Sequence, residues 1–178
     1  TTLGGVSQFP WQHIKGKKIP IQNLSNKEGL SSKFIYCSYR TEDGSFWFGT
    51  DGNGLVRLDP EGTIKTFTHV AEKPLHSVYA IIEDDRDHLW ICSPDRGILE
   101  FDGNSFVPLQ LKSGLAFTGI MGLSKDIYGN IIIPYPSGIV ILNPATRHLV
   151  YYDKGVGLDD FLPNLNALSS NESGTIWM

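Results

Sequence analysis

The sequence lacks the features that mark several large classes of protein. It has only two cysteines and two methionines in 178 residues, and neither cysteine has a histidine at the spacing of a zinc site or a catalytic thiol. No stretch approaches the roughly 18 uninterrupted apolar residues of a membrane-spanning helix. The net charge of −4 gives no basic stripe of the kind that nucleic acids select. We therefore expect no disulfide, no metal, no nucleic-acid partner and no membrane contact by these residues.

Turn-forming residues are abundant instead, and the sequence repeats. There are 19 glycines and 10 prolines beside 40% hydrophobic residues, which suits a fold of many short strands and tight turns. A glycine turn, a short apolar strand, a second glycine and another apolar strand recur with a period of about 43 residues. The equivalent turn positions are Gly44, Asp87, Gly129 and Gly174. A period of this length with four short strands per unit is typical of a β-propeller blade.

Three sets of equivalent positions support this interpretation. Small residues stand where the innermost strands would crowd around a central axis: Cys37, Ala80, Gly122 and Ala167. Large apolar residues stand where adjacent blades would pack: Trp47, Trp90, Ile132 and Trp177. Glycines stand at a strand reversal, where a positive φ is needed: Gly54, Gly97 and Gly138. Both cysteines, Cys37 and Cys92, are interpreted as small buried hydrophobes.

The predicted fold is an all-β β-propeller segment over residues 1–178, with about four blades of four antiparallel strands, A to D, from the axis outward. The units are 1–23, 24–70, 71–110, 111–153 and 154–178. The first unit matches strands C and D alone, and the last matches strands A and B alone, so one blade is split between the two termini. We expect a segment of a longer chain, whose split blade closes in cis, with a second copy, or within a larger ring.

The strands follow from the same alignment. Strand A is predicted at 34–39, 78–83, 120–125 and 165–170, and strand B at 46–49, 89–92, 131–134 and 175–178. Strand C is predicted at 55–58, 98–101 and 139–142, and strand D at 64–67, 106–109 and 149–152.

The motif Asp-Gly-Ser-Phe-Trp-Phe-Gly-Thr at 43–50, followed by Gly-Leu-Val-Arg-Leu-Asp-Pro at 54–60, resembles the two-component regulator propeller repeat. Residues 84–101 approximate the same pattern, and 126–142 do so more loosely. The resemblance implies the periplasmic sensor of a hybrid histidine kinase of the kind common in Bacteroides, the ectodomain of an inner-membrane protein that recognises glycan fragments. It also implies a segment that is not itself an enzyme and needs no cofactor, since kinase signatures are absent from these residues.

Candidate ligand contacts lie where the loops after strand B and the linkers between blades converge on the axis. Sugars need planar side chains for their apolar faces and paired polar groups for their hydroxyls. The residues that fit this chemistry are Asp51, Asn53, His76, Asp95, Arg96, Tyr135 and Asn164. The acidic run at 83–87 lies at the opposite end of the blade, and we interpret it as a solvated hairpin rather than a calcium loop, because Arg86 interrupts it.

Two other functions stay open at this level. A propeller enzyme of the streptogramin lyase-like group needs a general base near the axis, and His76 and Asp159 are the linker candidates. A protein-binding scaffold is the other alternative. The expected partners are an oligosaccharide or other small-molecule ligand, the remaining blades of the parent chain, and a second copy of the chain.

Overall fold

A computed structural model of the chain describes residues 4–8, 22–110, 119–136, 138–156, 158, 164–171 and 173–177. Asp159, one of the two residues proposed for an enzyme, lies outside these residues, as do parts of the predicted first and last units. The described residues form strands, with only two short 3-10 turns, at Asn26–Glu28 and Lys154–Val156. No helix among them is long and apolar enough to cross a membrane.

Three four-stranded antiparallel sheets, each a simple meander, form the body of the structure. The first blade contains β3 (Ile35–Arg40), β4 (Phe46–Thr50), β5 (Leu55–Leu58) and β6 (Ile64–Phe67). The second contains β9 (Ala80–Glu83), β10 (Leu89–Ser93), β11 (Gly97–Phe101) and β12 (Phe106–Pro108). The third contains β13 (Ser124–Lys125), β14 (Ile131–Tyr135), β15 (Gly138–Leu142) and β16 (Leu149–Tyr152).

Three two-stranded hairpins complete the described strands. They are β1 (Val6–Gln8) with β2 (Gln22–Leu24), β7 (His69–Val70) with β8 (Lys73–Pro74), and β17 (Ser169–Ser170) with β18 (Ile176–Trp177). The β7–β8 hairpin lies in the linker after the first blade and was not predicted, because its two turn residues carry no glycine. Ala71 and Glu72 adopt φ values of 47° and 65° there.

The predicted strand positions are confirmed in all three complete sheets, with one systematic difference. Strand A begins later than predicted, at Ala80 in the second blade and at Ser124 in the third. Some residues before these strands bond to neighbouring units instead: Val78 N donates to Thr50 O at 3.1 Å, and Met121 O accepts from Asn166 N at 3.0 Å. The innermost strand is therefore shortened where the linker crosses between blades.

The turn between strands A and B has the same hydrogen bonds in all four units that contain both strands. In the second blade the N–H of Asp84 donates to His88 O at 2.9 Å, and the N–H of Asp87 donates to Asp84 O at 3.2 Å. The left-handed position in this turn is occupied by Gly44, Asp87, Gly129 and Gly174, with φ of 87°, 62°, 78° and 85°. Glycine suits this conformation, which explains why it recurs at the period of the repeat.

Large side chains fill the spaces between blades, as the sequence predicts. Trp47, from the first blade, is buried in a cluster with Leu89, Ile91 and Phe101 of the second. Its ring centroid lies 5.5 Å from that of Phe101. Trp90 repeats this arrangement one blade further along, in a cluster with Ile131, Ile133, Val140 and Leu142 of the third blade. The first and second blades therefore each pack a tryptophan against the next blade.

The packing between blades is incomplete at the first blade and at the last hairpin, each of which has a side with no neighbouring blade in the described part of the chain. Trp177 stands at the position of Trp47 and Trp90 but is 65% exposed. At the other end, Phe46 is 39% exposed, whereas its equivalent in the second blade, Leu89, is 2% exposed. Among the described residues β1–β2 and β17–β18 are separate sheets, so the closure of the split blade stays a prediction.

Cys92 is buried, as the sequence predicts, whereas Cys37 is only partly buried. Both thiols are free, and each faces a backbone carbonyl of the next blade, Cys37 that of Val78 and Cys92 that of Ile120. Burial raises the pKa of the Cys37 thiol to about 12, and it also raises that of Cys92.

Candidate functional site

The upper face consists of the loops after strand B, at residues 50–54 and 93–97, with the linkers at 31–34 and 75–79. Backbone hydrogen bonds hold these segments together. The N–H of Asp51 donates to Phe34 O at 3.0 Å within the first blade, and the N–H of Gly54 donates to His76 O at 2.6 Å across to the second linker. Gly54 has a φ of 72°, and a Cβ there would lie 2.2 Å from Phe67 O, so glycine is required at this junction.

His76 and Asp95 are brought together, from a linker and from the loop after β10. His76 Nδ1 lies 3.1 Å from Asp95 Oδ2, and Ser93 Oγ donates to Asp95 Oδ1 at 2.8 Å. Although partial burial opposes ionisation, the hydrogen bonds from Ser93 and His76 hold the pKa of Asp95 below its usual value. The side chain of His76 is 62% exposed, so the pair can reach solvent and a bound molecule.

Asp51 lies in a second polar group, next to Ser77 of the following linker. Ser77 Oγ donates to Asp51 Oδ1 at 3.3 Å, and the N–H of Gly52 donates to Ser77 Oγ at 3.2 Å. Burial, and then the charge of Asp51, raises the pKa of Tyr36. Ser77 follows His76 directly in the sequence, so the linker joins the Asp51 and Asp95 groups on one surface.

The four other predicted site residues make no contact with the His76–Asp95 pair that would join them to it. The backbone carbonyl of Asn53 accepts a bond from Ser31 Oγ at 3.2 Å, which leaves its side chain exposed. Arg96 is partly buried, and its Nε has no hydrogen-bond partner. Tyr135 is 9% exposed and packs in the core between the second and third blades. Asn164 is exposed, and its carbonyl accepts from Ala167 N at 3.3 Å. The contacts of these four residues do not join them to the His76–Asp95 pair.

A group of axial residues was missed by the sequence analysis. They occupy one position in every repeat, directly before the small residue of strand A: Tyr36, Tyr79, Met121 and Asn166. The rings of Tyr36 and Tyr79 meet edge to face, with centroids 5.1 Å apart. Asn166 Nδ2 donates to Tyr36 O at 3.3 Å. Their position in the repeat could have identified them, because residues next to the small residues of strand A also lie near the axis.

The lower face consists of the A-to-B turns, including 41–45 and 84–88. Here the interpretation of residues 83–87 as a solvated hairpin was wrong for two members, since Glu83 is 6% exposed and Asp84 is 3% exposed. Asp84 Oδ2 accepts from Trp90 Nε1 at 3.0 Å and from Arg86 Nη2 at 2.6 Å. The run turns inward because the indole of Trp90 and the guanidinium of Arg86 offer donors that stabilise a buried carboxylate.

The carboxylate of Glu100 is also buried, and it links two blades. It accepts from His88 Nδ1 at 2.8 Å, from Arg86 Nη2 at 3.2 Å, and from Arg147 of the third blade. Asp84, His88 and Glu100 offer oxygen and nitrogen atoms close enough to hold a metal ion. Because two guanidinium groups already bind these oxygens, a further cation would be repelled, and we interpret the cluster as an ion-paired clamp between blades.

Comparisons with known proteins agree with this architecture. Residues 29–52 match the family model described as two component regulator propeller. A search of curated proteins found no match. Among solved structures, the chain is similar to the extracellular domain of the hybrid two component system BT3049 from B. thetaiotaomicron, with 20% identity and a TM-score of 0.80 over 98% of this chain and 24% of that one.

Two further structures extend the comparison. The extracellular domain of the hybrid two component system BT4673, also from B. thetaiotaomicron, has 23% identity and a TM-score of 0.75 over 98% of this chain and 25% of that one. Virginiamycin B lyase from Staphylococcus aureus has 13% identity and a TM-score of 0.69 over 92% of this chain and 53% of that one. The chain spans about a quarter of the length of the two extracellular domains. Residues 29–52 therefore match one two component regulator propeller repeat, and the chain has the propeller fold over nearly all its length.

Proposed function

We propose that this chain is a ligand-sensing segment of the periplasmic sensor of a hybrid two-component system, non-catalytic itself, which couples ligand binding to a transmembrane histidine kinase. The observation that carries this proposal is the similarity to the extracellular domain of BT3049 over 98% of the chain, with a TM-score of 0.80. The family match at residues 29–52 supports it independently. Because the chain spans about a quarter of that domain, the parent protein supplies the remaining blades, which cover Phe46 and Trp177.

The ligand is an oligosaccharide that binds the upper face. Two features of this face support that chemistry. The Tyr36–Tyr79 pair offers aromatic surface at the axis, against which the apolar face of a sugar ring stacks. The Asp51 and Asp95 carboxylates and His76, carried by loops and a linker bonded to one another, offer acceptors and a donor for hydroxyl groups.

The experiment is isothermal titration calorimetry of the complete ectodomain against a panel of glycan oligosaccharides. We expect one member to bind, and Asp51→Asn and Tyr79→Ala to weaken it. Glu61→Gln, in the exposed turn between β5 and β6, is the control for a general loss of negative charge. Absence of binding across a broad panel would favour the protein-binding scaffold.

A propeller enzyme is the second candidate, and one observation favours it. The His76–Asp95 pair has the geometry of a general base held by a carboxylate, on a chain whose fold resembles a lyase. Turnover of any panel member that is lost in His76→Ala and retained in Ser77→Ala would support the enzyme and count against the non-catalytic proposal.

A further inference from the structure

A groove on the lower face lies between the first and second blades and contains an excess of negative charge. Its volume is about 380 Å³, and four carboxylates line it beside a single guanidinium, that of Arg57. The carboxylates are Glu42, Asp43, Glu83 and Asp87. Its apolar wall is made by Trp47, Leu89 and Phe101. We call this space the acidic groove.

Glu83 is the buried member of the acidic groove, and its charge is not compensated. The residue is 6% exposed, and its Oε2 accepts one hydrogen bond, from Glu42 N at 3.0 Å. Among the described residues no other hydrogen bond and no ion pair reaches this side chain. Burial, followed by the charges of Asp87, Glu42 and Asp43, raises its pKa. A buried carboxylate normally has a cation or several donors beside it. Among the described residues Oε1 has neither, and because this oxygen is not fully buried, it opens onto the groove.

Two cations near Glu83 are already engaged in ion pairs. Arg57 Nη2 bonds to Asp43 Oδ2 and to Ser45 Oγ, each at 3.0 Å. Lys125 pairs with Asp85 at 2.9 Å, at the rim of an adjoining cavity of about 460 Å³ that Glu83 also lines. Rearranging either ion pair to reach Glu83 would leave another carboxylate without its cation. A third cation, Arg40, lines the adjoining cavity, but its guanidinium lies over the Phe46 ring, 5.8 Å from the centroid. The described residues therefore leave Glu83 without a paired cation, which another molecule or another part of the parent protein can supply.

The repeat itself does not require an acid at this position. The equivalents of Glu83 in the first and third blades are cations, Arg40 and Lys125. Because these two residues are positively charged, the repeat does not require a carboxylate at this end of strand A. The glutamate at position 83 is therefore a feature of the second blade alone. A position that departs from its repeat at an energetic cost is a candidate for function.

We propose that the acidic groove binds an arginine or lysine side chain of a partner polypeptide segment, with its charged end on Glu83 and its alkyl stem along Trp47 and Phe101. The guanidinium of Arg57 shows how such a group sits here, since it lies 5.6 Å from the centroid of the Trp47 ring while it bonds to Asp43. Long cationic side chains commonly lay their stems on apolar surface and place the charge on a polar rim.

An organic cation fits this groove better than a metal ion does. In the described residues, the one set of three or more acidic or histidine side chains close enough to share an ion is Asp84, His88 and Glu100, and it contains neither Glu83 nor another carboxylate of the groove. A volume of about 380 Å³ exceeds what a single ion needs and falls in the range of small-ligand pockets.

The test uses two peptides that differ by one charge, acetyl-Gly-Arg-Gly-amide and its citrulline counterpart, titrated into the 178-residue chain by NMR or calorimetry at low salt. We expect the arginine peptide to bind at least about tenfold more tightly than the citrulline peptide, as for a charge-assisted hydrogen bond, and its affinity to fall with added salt. Glu83→Gln, which keeps an acceptor for Glu42 N, should remove that preference. Glu42→Gln, at an exposed position, should reduce it, and Glu61→Gln, outside the groove, should leave it unchanged.

Several results would overturn the proposal. They are equal binding of the two peptides, absence of binding by the arginine peptide, and an arginine preference that survives Glu83→Gln. A calcium titration is the fourth arm: calcium binding that displaces the peptide and is lost in Glu83→Gln would assign the groove to a metal ion. These outcomes do not depend on the result of the oligosaccharide experiment, because the acidic groove and the upper face lie at opposite ends of the blades.

Discussion

The tryptophans of strand B provide a graded test of the packing between blades. They occupy one position of the repeat but differ in environment: Trp90 is 0% exposed, Trp47 is 3% exposed and Trp177 is 65% exposed. Only Trp90 is also hydrogen bonded to a buried carboxylate, from Nε1 to Asp84 Oδ2 at 3.0 Å. The same substitution, tryptophan to phenylalanine, should therefore have three different costs.

The expected costs follow from these contacts. Trp90→Phe removes a bond to a charged, buried group, which costs about 1.5–3 kcal/mol, and leaves a void that costs about 1 kcal/mol more. Trp47→Phe removes apolar contact with Phe67 and Phe101 and should cost about 1 kcal/mol. Trp177→Phe, at an exposed position, should change the free energy of unfolding by less than about 0.5 kcal/mol.

The assay is urea unfolding followed by far-ultraviolet circular dichroism, because fluorescence would change with each substitution. A double-mutant cycle of Trp90→Phe with Asp84→Asn should give a coupling of about 1–2 kcal/mol. Equal costs at Trp90 and Trp177, or additive effects of Trp90→Phe and Asp84→Asn, would refute the assignment of Trp90 as a buried plug anchored by Asp84.

Three further predictions concern other parts of the chain. Replacing Ala71 and Glu72, both at positive φ, by Asn-Gly should stabilise the β7–β8 hairpin by about 1 kcal/mol, measured by urea unfolding; a loss of stability would contradict the turn assignment. Because the pKa of Glu83 is raised in the folded state, the folded chain holds this proton more tightly than the unfolded chain, so its favourable contribution is present in acid and lost as the pH rises through the folded pKa. Glu83→Gln should thus raise the melting temperature at neutral pH, with the gain shrinking on acidification, whereas a constant gain would point to packing. Since the pKa of Cys37 is raised to about 12 and that of Cys92 is also raised, neither thiol should react with a disulfide reagent at pH 8 until urea unfolds the chain; fast reaction in the native state would contradict their environment.

The repeat explains why so much of the fold could be predicted from the sequence. Four copies of one pattern gave the strands, the glycine turns and the tryptophan contacts, because each copy imposes the same steric demand on equivalent residues. Where a copy departs from the pattern, prediction failed. Glu83 and Asp84 belong to a charged run that composition assigns to solvent, yet Trp90 and the groove between blades draw them inward.

The candidate site was predictable only in part, for a related reason. His76 and Asp95 were found as polar residues on converging loops, and the structure pairs them. Tyr135 was chosen for its ring, but its register places it in the core between blades. Tyr36 and Tyr79 were overlooked because they alternate with the small axial residues on a short strand, where a side chain's direction depends on how the linker enters the blade.

The most direct test of the proposed function is a crystal structure of the complete ectodomain with an oligosaccharide selected by calorimetry. The proposal predicts sugar density on the upper face, stacked on Tyr36 or Tyr79 and within hydrogen-bond distance of Asp51 or the His76–Asp95 pair. Sugar density confined to another surface, with the upper face of this segment unoccupied, would contradict it.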